Sequence, residues 1–292
     1  MKWKRILFCA VALSLCLVAI RARTETLPRQ KSGHEDWNRP FKPFRIIGNI
    51  YYVGTNNLAC YLITTPAGYI LIDTAMQESA PIIRANIESL GYRLKYVRLI
   101  LSSHAHFDHV AGHADMKLAT GAQVVASAAD AVTLESGGAK GFHPLDRYKP
   151  VKVDRIVKDG EVVMIGNAAL RAHLTPGHTE GNTTWTTTVE ENGKKYNVVF
   201  AGSMSINPGV QLVNNSAWPK ISEAYAKSFQ KLKSLQCDVF LGPHAPFFDM
   251  EAKVRRMGAN GGVNPFIDPE GYRNYIASYE KSYEEQLLRE RQ

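Results

Sequence analysis

Three histidines and one aspartate lie within six residues of the sequence: His104, His106, Asp108 and His109. Imidazole nitrogens and carboxylates are ligands for Zn²⁺ and related first-row dications. His104 and His106 are two residues apart, so an extended backbone points both side chains the same way. Asp108 and His109 are adjacent and must diverge, which makes one ion hard to satisfy with all four. The spacing therefore predicts two neighbouring metal ions that share one loop.

Such a site needs further ligands, and loops that directly follow strands are well placed to supply them. His178 follows a strand predicted at 168–174, at a turn forced by Pro176-Gly177. His244 follows a strand predicted at 239–241. We predict both histidines as ligands.

The four other histidines fit a metal site less well. His34 lies in a polar N-terminal arm, His143 in a glycine-rich loop and His173 inside a predicted strand. His113 comes four residues after His109, on a helix that leads away from the loop. We predict surface or packing roles for these four.

The scaffold for these residues is predicted as strands followed by helices, twice over. The first half has strands at 44–47, 50–53, 60–64, 69–73, 97–101 and 122–127, with helices at 79–90, 110–119 and 130–135. The second half has strands at 154–157, 161–165, 168–174, 183–189, 196–201 and 239–241, with helices at 221–235 and 270–290. The last helix carries an aromatic stripe that we assign to the core. Without a long linker or an internal repeat, this order predicts one layered domain of two packed β-sheets covered by helices.

The sequence begins with positive charges followed by a short apolar run. Lys2, Lys4 and Arg5 precede the apolar stretch 6–20, which is short for a membrane span and typical of a secretory signal peptide. We expect cleavage after Ala22, a mature domain of 23–292 and a periplasmic location; a retained membrane anchor is the alternative. Loss of residues 1–22 removes four basic residues and lowers the formal net charge from +8 to +4. The remaining charge is scattered, so we expect no nucleic-acid partner. We also expect no membrane association after cleavage and a monomer.

The predicted mature chain keeps two cysteines, Cys60 and Cys237. An oxidising compartment would allow them to pair. Each also lies in an apolar, strand-like segment, where a buried thiol is the commoner outcome. Both outcomes stay open at this point.

Three segments, 104–109, 175–179 and 242–244, resemble the metallo-β-lactamase superfamily, and the resemblance runs from about Trp37 to the C-terminus. It implies an α+β fold, a four-layer αββα sandwich, with two Zn²⁺ ions at one edge of the sheets. Carried over position by position, the first zinc would be held by His104, His106 and His178. The second zinc would be held by Asp108, His109 and His244.

The residue at position 203 indicates which subgroup of this superfamily the chain resembles. Glyoxalase II and lactonase relatives place a bridging Asp after the corresponding strand, and the commonest β-lactamase subclass places a Cys there. This chain has Ser203. A serine there, with His109 as a ligand of the second zinc, resembles subclass B3. The segments 37–40, 50–55 and 203–209 resemble that subclass too, whereas Glu180 stands where its members more often carry Pro.

The resemblance implies hydrolysis of the β-lactam amide bond of penicillins, cephalosporins and carbapenems by a metal-bound hydroxide, and hence antibiotic resistance. Asp108 would ligate the second zinc and orient the nucleophile. Ser203 and Ser205 would bind the substrate carboxylate or a water near it, with no covalent intermediate. Asp73 and Thr179 would orient ligands, although a purely structural turn role for Asp73 fits equally well.

Two other functions remain open on the same fold. One is a dinuclear-zinc lactonase or a thioesterase like glyoxalase II, because this fold serves many hydrolytic substrates. The other is an exported zinc-binding protein without catalysis. A site with an open position for water favours catalysis over structural zinc.

Overall fold

The structure, a computed structural model, describes residues 35–141, 147–258 and 263–292. The predicted signal peptide at 1–22 lies outside these ranges, as do His34 and His143. Within them, no helix combines the length and the apolarity that a membrane crossing requires.

The described residues form two β-sheets. The first has seven strands in sequence order: β1 (Phe44–Ile47), β2 (Ile50–Tyr52), β3 (Tyr61–Thr65), β4 (Gly68–Ile72), β5 (Val97–Leu101), β6 (Gln123–Ser127) and β7 (Arg155–Val157). The second has five strands in the order β12 (Val239–Leu241), β11 (Lys194–Phe200), β10 (Thr183–Glu191), β9 (Ala168–Leu174) and β8 (Val162–Ile165). The helices are α1 (Ala80–Ser89), α2 (Phe107–Val110), α3 (His113–Thr120), α4 (Ala128–Glu135), α5 (Ile221–Lys233), α6 (Met250–Arg256) and α7 (Pro269–Glu290).

The pairing of the strands brings several carboxyl ends to one edge. In the first sheet β1 to β4 are antiparallel, whereas β4 to β7 are parallel and are joined by helical crossovers. In the second sheet β8 to β11 alternate in direction and β12 runs parallel to β11. Consequently β9, β11 and β12 end at the same edge of their sheet. Thr183 N donates to Ser103 O at 2.7 Å, which joins this edge to the end of β5.

The layers follow from the two-residue alternation of apolar side chains along each strand. In β5, Leu99 and Leu101 pack in the core that lies between the sheets and contains Trp185, while Ile100 packs against the helices of the first sheet. The core with Trp185 continues under α5 and α7 through aromatic residues such as Phe229. Helices therefore cover both sheets, and the predicted αββα sandwich is confirmed.

The predicted start of the helix at 110–119 is wrong. The observed helical segment begins three residues earlier and is split into α2 and α3. The chain is extended at His106 and then turns, with His109 N and Val110 N both donating to His106 O at 3.0 and 3.1 Å. Asp108 and His109 thus lie on a helical turn. Apolar periodicity could not mark this turn, because both are buried polar residues.

Two smaller features also differ from the prediction. The turn between β10 and β11 contains only Asn192 and Gly193, both at positive φ, 54° and 74°. That conformation suits a two-residue hairpin, so the strands extend further than predicted. Helix α6 has seven residues, too few to give a helical pattern, and was not predicted. Cys60 and Cys237 are both free thiols.

Candidate metal centre

The ends of three strands bring the six predicted ligands into two clusters. His104, His106 and His178 each offer one ligand atom, and these atoms lie within 4.8 Å of one another. The second cluster meets the same criterion and consists of Asp108, His109 and His244. The loop after β5 contributes to both clusters, while the histidines that follow β9 and β12 come from the second sheet.

The two clusters lie side by side. The ring centroids of His104 and His109, one from each cluster, are 4.1 Å apart. Within the second cluster, Asp108 Oδ2 lies 3.2 Å from His109 Nε2 and 3.5 Å from His244 Nε2. A single carboxylate thus faces two imidazoles, as in a carboxylate and histidine metal site.

His104 tests whether the residues fit a metal ion. Its Nε2 is buried and has no hydrogen-bond partner among the residues that the structure describes. Its Nδ1 lies 3.1 Å from Ser103 Oγ, so one ring nitrogen is held by the protein and the other faces the cluster. An unsatisfied buried polar atom is costly. A divalent ion coordinated by this nitrogen and its neighbours would satisfy it, so the site fits a metal.

The protonation states in the site are those that bind metal. Burial and the neighbouring histidines lower the pKa of His104 well below its usual value. Burial, together with His109, lowers the pKa of His244 to about 3. Burial would raise the pKa of Asp108, but the adjacent His109 outweighs it and the pKa lies well below its usual range. Neutral imidazoles and an ionised carboxylate are the forms that coordinate metal.

Asp73 acts on the first cluster through Ser103. Ser103 N and Ser103 Oγ donate to the two Asp73 carboxylate oxygens at 2.8 and 2.5 Å, and the same hydroxyl contacts His104. Asp73 also has a positive φ of 58°, so it makes the turn at the end of β4 as well. Burial raises the pKa of this carboxyl to about 6. Asp73 thus makes the turn and also binds the residue that contacts His104, so the structure is compatible with both roles left open by the sequence.

A cavity of about 360 Å³ opens onto both clusters. His106 and His178 line it from the first cluster, and Asp108 and His244 from the second. The remaining lining includes Trp37, Asn57, Phe107, Ser203, Ser205, Asn207 and Phe247. A larger cleft of about 930 Å³ lies at the opposite edge of the sheets, and none of its lining residues belongs to either cluster.

The sequence profile described as "Metallo-beta-lactamase superfamily" matches residues 53–244, the region that contains every predicted ligand. The chain belongs to this superfamily. The curated hydroxyacylglutathione hydrolase of Rhodospirillum rubrum is 35% identical to this member over 112 residues, which are 38% of this chain and 35% of that protein. The chain therefore spans about a third of the length of such curated relatives.

Solved structures of superfamily members match over much more of the chain. The native FEZ-1 metallo-β-lactamase from Legionella gormanii is 43% identical with a TM-score of 0.85, covering 87% of this chain and 98% of that one. BJP-1, a subclass B3 metallo-β-lactamase of Bradyrhizobium japonicum, is 40% identical with a TM-score of 0.82, covering 89% of this chain and 98% of that one. The chain is thus similar to these lactamases along nearly its whole described length.

Two cluster histidines of this superfamily member are held by partners far away in the sequence. His178 Nδ1 contacts the Ser205 carbonyl oxygen at 2.7 Å, and His244 Nδ1 contacts Asn57 Oδ1 at 2.8 Å. Asn57 was missed by sequence reasoning. No local pattern could have marked it, since the contact joins residues 187 positions apart.

Thr179 lies beside His178, but its hydroxyl does not orient a ligand directly. It donates to Asp130 Oδ1 at 3.4 Å. Asp130 is buried in α4, and burial raises its pKa to about 7. Asp130 was also missed, because in the sequence it reads as an ordinary acidic residue in the first turn of a helix.

The remaining described histidines lie outside both clusters. His113 is buried between two hydroxyls, Thr74 Oγ1 at 2.7 Å from Nδ1 and Ser102 Oγ at 2.9 Å from Nε2. His173 Nε2 contacts Thr186 Oγ1 at 2.8 Å. Both ring nitrogens of His113 are thus engaged by packing partners rather than by the metal centre.

Proposed function

We propose that this superfamily member is a subclass B3 metallo-β-lactamase that uses two zinc ions to hydrolyse β-lactams. The observation that carries the proposal is the composition of the second cluster and its surroundings. His109 joins Asp108 and His244, while the cavity residue at position 203 is a serine, which offers neither the carboxylate of the glyoxalase II pattern nor a thiolate. The likeness to subclass B3 structures along the chain supports the same conclusion.

The first zinc would be held by His104, His106 and His178, and the second by Asp108, His109 and His244. Zinc held by these residues would supply Lewis acidity and a bound water with its pKa lowered to about 7. Asp108 has a low pKa and stays ionised. Its carboxylate can therefore accept a hydrogen bond from the attacking water and orient it.

Ser203 and Ser205 are proposed to bind the substrate carboxylate. Their hydroxyl oxygens are 3.2 Å apart and both residues line the cavity. Ser205 Oγ also lies 3.3 Å from His178 Nδ1, but this nitrogen donates its hydrogen to the Ser205 carbonyl oxygen at 2.7 Å. A protonated nitrogen cannot deprotonate the hydroxyl. This arrangement supports hydrolysis without a serine nucleophile.

The proposal extends to location and assembly. The basic and apolar segment at residues 1–22 supports export to the periplasm. The cavity in one chain already contains both metal clusters, so we propose a monomer that acts on a small molecule.

A thioesterase of the hydroxyacylglutathione hydrolase type is the second candidate. It is favoured by the names of the curated relatives. Those matches cover 35% and 58% of the relatives, whereas FEZ-1 is covered at 98%. The serine at 203 also departs from the pattern of the thioesterases.

The deciding experiment assays the chain from residue 23, purified with zinc, on a penicillin, a cephalosporin and a carbapenem. An acyl-homoserine lactone and a glutathione thioester are tested beside them. We expect β-lactam hydrolysis that a chelator abolishes and added zinc restores. Turnover of the lactone or thioester without the β-lactams would refute the lactamase assignment. Hydrolysis that a chelator leaves unchanged would refute the metal-dependent mechanism.

A further inference from the structure

Asp130 is a buried acidic residue that belongs to neither metal cluster, yet it contacts both segments that form the first one. The Thr179 hydroxyl donates to its carboxylate at 3.4 Å, and Ala105 lines the same small cavity as Asp130 and Thr179. Ala105 lies between His104 and His106, and Thr179 directly follows His178. All three ligands of the first cluster are therefore next to a residue that lies against Asp130.

The close approach of the second segment to Asp130 requires a glycine. A Cβ atom at Gly181 would lie 2.3 Å from Asp130 Oδ1 and 2.3 Å from Ser127 Oγ. Real Cβ contacts are essentially never this short, so a side chain at this position would force its two buried neighbours to shift. The backbone of the turn that carries His178 thus rests directly on the start of α4.

The first segment is also held from its other side. Tyr148 donates its hydroxyl to the Ala105 carbonyl oxygen at 2.9 Å. The residue between the two histidines is thus bound by Tyr148 on one side and faces Asp130 on the other. These contacts set the position of a stretch that follows the end of β5, where the regular strand pairing has stopped.

The Asp130 side chain is only 3% exposed, and burial of a carboxylate costs free energy unless neighbouring groups stabilise it by hydrogen bonds. The two ligand-bearing segments, one from each sheet, offset only part of this cost, because burial still raises the pKa of Asp130 to about 7. We propose that Asp130 is a positioning residue that holds these segments together and thereby sets the affinity of the first metal site. The inference rests on the metal centre of the proposed function and does not depend on the substrate.

The test measures zinc affinity directly, by competition with a chromophoric chelator that resolves two dissociation constants in the full chain. The variants His178→Ala and His244→Ala assign these constants, since each removes a ligand of one cluster only. We expect Asp130→Ala and Asp130→Asn to weaken the first site by about 10- to 100-fold, the range for partners that orient ligands. The dissociation constant of the second site should change by less than about twofold. An effect on the first site alone distinguishes a positioning role from a general loosening of the fold.

Two further variants sharpen the test. Thr179→Val keeps the side-chain shape but removes the hydroxyl that Asp130 binds, and it should weaken the first site by a smaller factor. Asp115→Asn, a matched control in the partly exposed ion pair with Lys149, should leave both constants unchanged. If Asp130→Ala fails to fold, the isosteric variant Asp130→Asn still tests whether Asp130 sets the affinity of the first site.

The outcomes separate this inference from the proposed function. Unchanged first-site affinity in Asp130→Asn, or equal weakening of both sites, would overturn the positioning role while leaving the lactamase proposal intact. A parent protein that binds no zinc would overturn both. Two sites in the parent with selective loss of the first in the variant would support the role of Asp130, whatever substrate the enzyme turns over.

Discussion

Single protein oxygens that contact the cluster histidines determine how their imidazole rings are oriented. His104, His178 and His244 each engage one ring nitrogen with a protein oxygen, which leaves the other directed at a cluster. Such partners fix the tautomer and the orientation of a ligand before the metal arrives. The amide of Asn57 has this function for His244.

Replacing Asn57 tests this dependence on a single acceptor. Asn57→Ala removes the oxygen that receives the His244 Nδ1 hydrogen, so we expect the second zinc site to weaken by about tenfold or more. Asn57→Asp keeps an oxygen in place and should retain tighter binding than the alanine variant. Zinc competition measures both, and equal affinity in parent and Asn57→Ala would contradict the prediction.

His113 gives a prediction about pH. Burial lowers its pKa from 6.5 to about 3 in the folded chain, whereas in the unfolded chain it titrates near 6.5. Below pH 6.5 the unfolded state gains a proton that the folded state does not. The free energy of unfolding therefore falls by about 1.4 kcal/mol per pH unit from this residue alone, until the pH approaches 3. No such loss arises above pH 6.5.

The variant His113→Gln keeps polar atoms for both hydroxyls but cannot titrate. It should be less stable than the parent at pH 7.5, and the difference should shrink as the pH falls to 5. Urea unfolding of both proteins at matched zinc concentrations measures this, because the contributions of the other groups largely cancel in the difference. A stability difference that stays constant with pH would refute the role assigned to His113.

At the scale of elements, two helices of the outer layer hold the segment that carries the cavity serines. Tyr225 of α5 donates to the Ser205 carbonyl oxygen at 2.8 Å, and Tyr275 of α7 donates to the Gly202 carbonyl oxygen at 3.1 Å. Both tyrosines are buried in the core beneath. The packing of α5 and α7 is thereby coupled to the position of the proposed substrate-binding hydroxyls.

Tyr225→Phe removes one of these hydrogen bonds while keeping the ring. A hydrogen bond of this kind contributes a net free energy of about 0.5–1.5 kcal/mol, so its loss corresponds to about a 2- to 10-fold change in substrate binding. We expect this as a rise in KM for β-lactams with a smaller change in kcat, because the serines bind rather than react. Steady-state kinetics measure the effect. The control is Tyr279→Phe, because the half-buried ring of Tyr279 lies further along α7. A fall in kcat without a rise in KM would contradict the assignment.

These elements also show what the sequence could predict. The aromatic stripe of α7 was predicted to face the core, and Tyr272, Tyr275, Ile276 and Tyr283 are buried. Periodicity identifies the face of a helix, because burial repeats with each turn. It does not identify the carbonyl group that a tyrosine hydroxyl reaches, because this depends on how separate elements pack. The split of α2 from α3 was missed for a related reason, since buried ligands interrupt the apolar pattern.

At the scale of the whole molecule, each candidate metal site joins the two sheets. The segment after β5 supplies His104 and His106 to one site and Asp108 and His109 to the other. The third ligand of each site follows a strand of the second sheet. The members of the two clusters could be predicted because their chemistry and spacing mark them locally. Asn57 and Asp130 could not, because only the assembled sandwich brings them to the ligands.

Metal removal should therefore destabilise the entire fold. A ligand at 100 times its dissociation constant stabilises the folded state by about 2.7 kcal/mol, which corresponds to a shift in Tm of about 5–10 °C for a chain of this size. We expect a chelator to lower Tm by at least about 5 °C and excess zinc to restore it. Thermal unfolding measures the shift, and a double variant with His178→Ala and His244→Ala should show little of it. Identical Tm values with zinc and with chelator would contradict the prediction.

The division of ligands between the sheets also determines when the metal can be captured. A growing or unfolded chain can offer only two neighbouring donors for each ion, because the third lies in a segment that reaches the site after the sheets have docked. Full coordination at the proposed zinc sites would therefore follow folding, and the ion would come from the compartment in which the chain folds. Where that compartment is poor in zinc, we expect folded but unloaded chains, which proteases should remove before the loaded ones.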